Sequence, residues 1–125
     1  MKYLFINTVA DFGSTGKLIV SACEALQRQG HTCYIAYGRK GAACQIPTVA
    51  IGSTRDYLIH ALGHRLFGTG GFGSKSATRA FLQWVRGFDP DVIWLHNLHG
   101  YYIHIGLLFD YLRQSGKEIR WTLHD

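Results

Sequence analysis

Two histidines, an asparagine, a glycine and two tyrosines crowd one short stretch, Leu95-His96-Asn97-Leu98-His99-Gly100-Tyr101-Tyr102, directly after the apolar run 91–95. Imidazole changes charge near neutral pH, so it can act as a general base, hydrogen-bond a hydroxyl or ligate a metal. A buried strand that ends in polar side chains delivers them to the sheet edge where open α/β proteins bind ligands. Three chemistries are open for these rings. His96 and His99, with His124, could hold a metal, but no cysteine joins them and Asp125 is the one nearby carboxylate, a thin donor set. A histidine beside an anion site could instead bind a sugar hydroxyl or take a proton. The rings could also do no more than hydrogen-bond to backbone at a strand end. Tyr101 and Tyr102 would stack on a sugar or staple the next helix to the sheet. No G-x-S-x-G sequence supports a Ser-His-Asp hydrolase.

A second cluster, Gly13-Ser14-Thr15-Gly16-Lys17, lies after the first apolar run. A phosphate loop needs four residues between its glycines and a Ser or Thr after the lysine. Here Ser14 and Thr15 alone intervene and Leu18 follows, so that reading fails. A dinucleotide fingerprint needs G-x-G-x-x-G and an acid about twenty residues on, whereas the second strand ends in Tyr37-Gly38-Arg39. Two readings remain. Backbone N–H groups at a helix N-terminus would hold an anion, or the segment is a tight turn with Ser14 or Thr15 capping the helix.

The elements that must position these groups follow from periodicity. Residues 3–7 form a hydrophobic strand, and 8–16 a polar, glycine-bearing loop. A helix follows with Leu18, Ile19, Ala22, Cys23 and Leu26 on one face. Gly30 stands where a C-terminal glycine cap belongs, and 31–37 is a second strand. Strand, helix and strand in so short a span make a βαβ unit and a parallel sheet. The stretch 38–47 reads as loop, 48–51 as a third strand, and Ser53 with Asp56 as the start of a helix. Gly68, Gly70, Gly71 and Gly73 break the chain before a third helix over 75–88, which buries Ala77, Phe81, Trp84 and Val85. Asp89-Pro90 leads into a fourth strand over 91–95. A fourth helix over 103–114 carries Leu107, Leu108, Tyr111 and Leu112 and stops at Gly116, before a fifth strand over 118–124. Doubly wound sheets of this pattern order their strands 3-2-1-4-5, with the ligand crevice between the ends of strands 1 and 4. That order brings the Gly13–Gly16 segment, the 96–102 segment, His124 and Asp125 to one edge.

Composition narrows the class. With 125 residues, 47% hydrophobic and 17% charged, the chain is one globular domain. No apolar run approaches the roughly 20 residues needed to span a bilayer, and the N-terminus turns polar too soon for a signal peptide; a cytoplasmic location is expected. Cys23, Cys33 and Cys44 are widely spaced and make no CxxC pair, which favours reduced, buried thiols. The net charge of +5 is unevenly spread: Arg39 to Phe88 holds seven basic residues against one acid, Asp56, and elsewhere the signs nearly cancel. A basic middle can meet anionic headgroups or a phosphorylated substrate. No nucleic-acid motif accompanies it, so nucleic acid is not expected as a partner.

Taken together, Phe12-Gly13-Ser14-Thr15-Gly16-Lys17, His31-Thr32-Cys33-Tyr34-Ile35-Ala36-Tyr37-Gly38-Arg39, Phe72-Gly73-Ser74-Lys75, the His96 stretch and Trp121-Thr122-Leu123-His124-Asp125 are specific in combination though weak singly. The chain resembles the N-terminal domain of bacterial family-4 glycosyltransferases of the colanic-acid and exopolysaccharide type. The resemblance implies a GT-B fold of two Rossmann-like domains, and retaining sugar transfer from a nucleotide-sugar donor without an essential metal or other cofactor. It implies an acceptor-side domain, with Gly13, Ser14, Thr15 and Gly16 near the donor diphosphate and His96 against the transferred sugar. Asn97, His99, Tyr101, Tyr102, His124 and Asp125 would then line the sugar and acceptor site. Arg55, Arg65, Lys75, Arg79 and Arg86 would face an anionic membrane carrying a lipid-linked saccharide acceptor. In such relatives a second domain, bearing most of the nucleotide-sugar site, follows the Trp-Thr-Leu-His-Asp segment; the 125-residue chain, incomplete at the C-terminal end of its own domain, is expected to be inactive alone. The alternative is a non-enzymatic α/β binding module or a partner-dependent subunit.

Overall fold

A computed structural model describes residues 1–10, 13–41, 46–51, 75–96, 98 and 103–122. The helix expected from Ser53 with Arg55 and Arg65, the Gly68–Gly73 break, Cys44, Asn97, His99, Tyr101, Tyr102, His124 and Asp125 lie outside the described residues. The described elements are β1 (Lys2–Ala10), α1 (Gly13–Arg28), β2 (Thr32–Gly41), β3 (Thr48–Ala50), α2 (Lys75–Phe88), β4 (Val92–Leu95), α3 (Ile105–Ser115) and β5 (Glu118–Trp121).

The strands form one parallel sheet in the order β3-β2-β1-β4-β5, so the Rossmann-like arrangement expected from the sequence is the one found. The register sets Tyr3 beside Cys33 and Val92, and Ile6 beside Ala36 and Leu95. Side-chain alternation then divides the core between the two faces. On one face Tyr3, Phe5, Cys33, Ile35 and Val92 pack under Ile19, Val20 and Cys23 of α1. On the other, Leu4, Ile6, Ile93 and Leu95 pack under Phe81, Leu82 and Val85 of α2 and Leu108 and Tyr111 of α3. Cys23 and Cys33 are buried thiols not joined in a disulfide, and Cys23 hydrogen-bonds to Cys33 and pulls its pKa below the ordinary thiol value.

Several boundaries differ from the sequence reading, each for a tertiary reason. The glycine-bearing segment is not a loop: β1 runs to Ala10 and α1 begins at Gly13, so Gly13–Gly16 form the first turn of the helix. Two glycines are poor helix formers, but burial of Ile19, Val20 and Cys23 holds the helix to the sheet. β2 also continues past Tyr37 through Arg39 and Lys40, which the sequence suggested were loop. After Asn7↔Tyr37 the pairing resumes at Val9↔Lys40, so β2 carries a bulge that lets both strands extend. In α2 the buried stripe is Thr78, Phe81, Leu82 and Val85, while Ala77 and Trp84 are half-buried. The stripe is turned because α3 packs along one flank of α2.

α3 starts two residues later than its periodicity suggests. His104 is its N-cap, with extended φ −83 and ψ 108, and its Nδ1 accepts from the Leu107 N–H at 3.0 Å. Ile103 and Leu108, both 1% exposed, belong to one core cluster and make the hydrophobic staple that fixes the chain's entry into the helix. Gly116 ends α3 at φ 70, and Gly30 follows α1 at φ 91, the two stops foreseen from sequence. A Cβ at Gly116 would meet nothing within 4 Å, so Gly116→Ala carries only the backbone penalty of the left-handed region. We expect a loss of about 1–2 kcal/mol, read from the urea midpoint, and a smaller loss for Gly116→Asn.

The opposite edge of the sheet is clamped at Lys2. Its backbone N–H donates to Asp91 Oδ2 at 2.8 Å, and its Nζ donates to the Phe88 carbonyl at 3.1 Å. Between them Asp89 adopts φ 56, and its N–H donates to the Val85 carbonyl at 2.8 Å, closing α2. Lys117 pairs with the Asp89 carboxylate and holds it below the usual carboxylate range.

Candidate functional site

Parallel register brings Tyr37 of β2, Asn7 of β1, His96 after β4 and Thr122 after β5 into one row, which closes β4 and β5 while β1 and β2 run on to Ala10 and Gly41. Asn7 pairs with Tyr37, the His96 N–H donates to the Ile6 carbonyl at 2.9 Å, and the Thr122 N–H donates to the Leu95 carbonyl at 3.0 Å. All four side chains fall on the face that α1 covers. Tyr37 packs against the α1 cluster, Asn7 lies one strand period beyond Phe5, and His96 stacks on Phe5. The Thr122 hydroxyl accepts from Trp94 Nε1 at 2.7 Å. α1 runs back along the sheet from this edge, so its N-terminal backbone N–H groups lie there too. The connections diverge between β1 and β4, with α1 on one face and α2 and α3 on the other. This is the switch-point crevice of an open α/β sheet.

His96 is set firmly in this row. Its ring lies nearly parallel to Phe5, centroids 5.7 Å apart, and to Trp94, 6.1 Å apart. Phe5 and Trp94 themselves stack at 5.3 Å. From β5, Trp121 Nε1 donates to the His96 carbonyl at 3.2 Å. The imidazole is 7% exposed and Asn7 is fully buried, so both belong to the wall of the crevice rather than its rim. Arg120 lies over the outer face of Trp94 at 5.1 Å and pairs with Glu118 at 2.7 Å.

Gly13–Gly16 form the first turn of α1, the helix that covers the face on which His96 lies. Asn7, Tyr37 and Thr122 were not singled out from sequence. Asn7 carried the same signal as His96, a polar residue directly after an apolar run. Among the described residues no three His, Cys, Asp or Glu side chains form a metal-ligand group.

The basic side chains of α2, Lys75, Arg79 and Arg86, are exposed, and no described acid pairs with them. Arg86 lies over the Tyr111 ring at 5.4 Å, and burial pushes the Tyr111 phenol pKa up. Arg79, Gln83 and Arg86 face Leu107, Asp110 and Tyr111 across a groove of about 340 Å³. Among the described residues no helix is long and apolar enough to cross a membrane. No protein-family model, curated protein or solved structure matches this chain.

Proposed function

We propose that this chain is the acceptor-side, N-terminal portion of a retaining GT-B glycosyltransferase. It would act in exopolysaccharide biosynthesis, on a nucleotide-sugar donor and a lipid-linked saccharide acceptor. The observation that carries the reading is the switch-point edge, where His96 and Asn7 stand in adjacent strands beside the N-terminus of α1. A helix N-terminus suits a diphosphate. An imidazole and a carboxamide suit sugar hydroxyls. In this reading the residues act by binding and orientation: α1 holds the anionic group, and His96 fixes the sugar against the Phe5–Trp94 wall. Lys75, Arg79 and Arg86, exposed on α2, supply positive charge for an anionic membrane surface at the inner face of the cytoplasmic membrane.

Thermal unfolding in the presence of UDP- and GDP-linked hexoses and of short oligosaccharides tests the reading, because a ligand of the folded state raises Tm in a saturable way. We expect stabilisation by at least one sugar ligand, and about tenfold weaker binding in His96→Asn, the loss of roughly one good hydrogen bond. Sugar transfer is expected only when a second Rossmann-like domain is supplied. No stabilisation by any sugar ligand, or unaltered binding by the His96 variant, would refute the assignment. The burial of His96 favours a second reading, a non-enzymatic binding module or partner-dependent subunit. That reading fails if the chain turns over a nucleotide sugar unaided.

A further inference from the structure

α2 and α3 pack side by side on the face of the sheet that α1 does not cover, and the groove of about 340 Å³ lies between them. That volume falls within the roughly 300–1,000 Å³ of small-ligand clefts. On the α2 side, Arg79, Gln83 and Arg86 recur at helical spacing along one stripe, and all three are exposed. On the α3 side, Asp110 and Gln114 stand one turn apart, exposed as well. Leu82, Leu107 and Tyr111 supply the apolar part of the lining.

Charge in this groove is unbalanced. Asp110 is engaged by Arg113, and neither Arg79 nor Arg86 pairs with a described acid. The Arg86 guanidinium is already seated over the Tyr111 ring at 5.4 Å, so it loses little freedom when it takes a ligand. At 1.5 Å rise per residue the two arginines stand roughly 10 Å apart along α2, with the Gln83 amide between them. Guanidinium forks recognise oxyanions. Amides and a carboxylate bond hydroxyls, and apolar side chains accept the C–H face of a sugar ring.

We propose that the α2–α3 groove binds an anionic saccharide, its acidic groups on Arg79 and Arg86 and its hydroxyls on Gln83, Gln114 and Asp110. The inference rests on the sugar-transfer reading and deepens it: the acceptor is an acidic saccharide, held along a stretch remote from its reacting end. Binding energy gained on a remote part of a substrate helps to orient the part that reacts. The groove reaches the end of the sheet where α3 begins. There the His104 N–H donates to Thr78, the residue before Arg79.

Isothermal titration calorimetry tests this with three probes: a hyaluronan tetrasaccharide, which has carboxylates on alternate rings, neutral cellotetraose, and glucose-6-phosphate. An acidic probe is expected to bind at least tenfold more tightly than cellotetraose; the tighter of the two acids tells whether carboxylate or phosphate is preferred. Arg79→Gln and Arg86→Gln should each weaken binding about tenfold or more, the loss of a charge-assisted hydrogen bond. Arg79→Lys should keep only part of the affinity, because it retains the charge but not the fork. Lys75, exposed on the same helix, does not line the groove, so Lys75→Gln should bind as the parent does. Failure of both acids to bind, equal binding of cellotetraose, or a loss in Lys75→Gln as large as in Arg79→Gln overturns the proposal. The last result would mark the diffuse attraction of a charged surface. The two readings fail separately. Stabilisation by a nucleotide hexose that depends on His96, with neither acid bound, refutes the groove alone.

Discussion

Replacing Phe5 with alanine is expected to lower stability by about 3–5 kcal/mol, the usual cost of removing a buried aromatic ring. That is a large part of the 5–15 kcal/mol typical of a folded domain. Phe5 is 1% exposed at the centre of the central strand, between Ile35 and Trp94 in register. Its ring packs under α1 and carries both Trp94 and His96. The loss therefore combines a cavity with two broken ring contacts, which add about 0.5–1.5 kcal/mol per aromatic pair beyond area burial. Urea unfolding should show a lower midpoint at unchanged slope, and the near-UV signal of Trp94 should weaken. Phe5→Leu separates the parts, because it refills much of the cavity but restores no stacking. Since His96 leans on Phe5, the sugar binding proposed for this chain should fall in Phe5→Leu even where the fold survives. A Phe5→Ala chain as stable as the parent would mean that the face under α1 is not a packed core.

The second large effect is expected at the junction of α2 and α3. Thr78 is fully buried, and its hydroxyl accepts from the His104 N–H at 2.8 Å. Thr78→Val keeps the shape and removes the acceptor, leaving a buried donor, at a cost of about 1–3 kcal/mol. His104 adds a pH dependence. Its Nδ1 accepts from the Leu107 N–H, which requires a neutral ring. Burial is the main cause of its lowered pKa, with Lys75 and then Arg79 adding repulsion and Asp110 opposing them. The unfolded chain takes up this proton near the ordinary value of about 6.5, while the folded chain resists it. The contribution is thus complete above that value and is lost as pH falls through the lower folded-state pKa. His104→Asn keeps a capping oxygen that does not titrate. It should flatten the loss of stability as pH falls below about 6.5. An unchanged slope in that variant would assign the pH dependence to other groups.

The strand order was legible because each connection has one favoured hand and an apolar run marks the core of each strand, even where β1 and β2 continue past it. Asn7 after Ile6 and His96 after Leu95 are polar residues closing apolar runs, and the crevice forms where such ends meet. Gly30 and Gly116 were legible as helix stops for a local reason, since their positive φ is a property of one residue. The first turn of α1 was not legible, because its glycines argue against a helix and only the packing of Ile19 and Cys23 overrules them. Thr78 and His104 look like surface residues in a helical pattern. They become a buried cap only once α3 is laid against α2.

What the sequence determined by itself is therefore the described elements, their order in a parallel sheet and the end of the sheet at which Asn7 and His96 stand. Periodicity, turn residues and crossover handedness are properties of short stretches of chain. The tertiary structure decided which of those groups meet. Asn7, Tyr37, His96 and Thr122 come from four strands and share a row only through inter-strand register. The same register stacks His96 behind Phe5 and Trp94, making it part of a wall. Among the described residues it pairs β5 with β4 alone. Register arises from hydrogen bonds between segments far apart in sequence, and no local pattern carries that information.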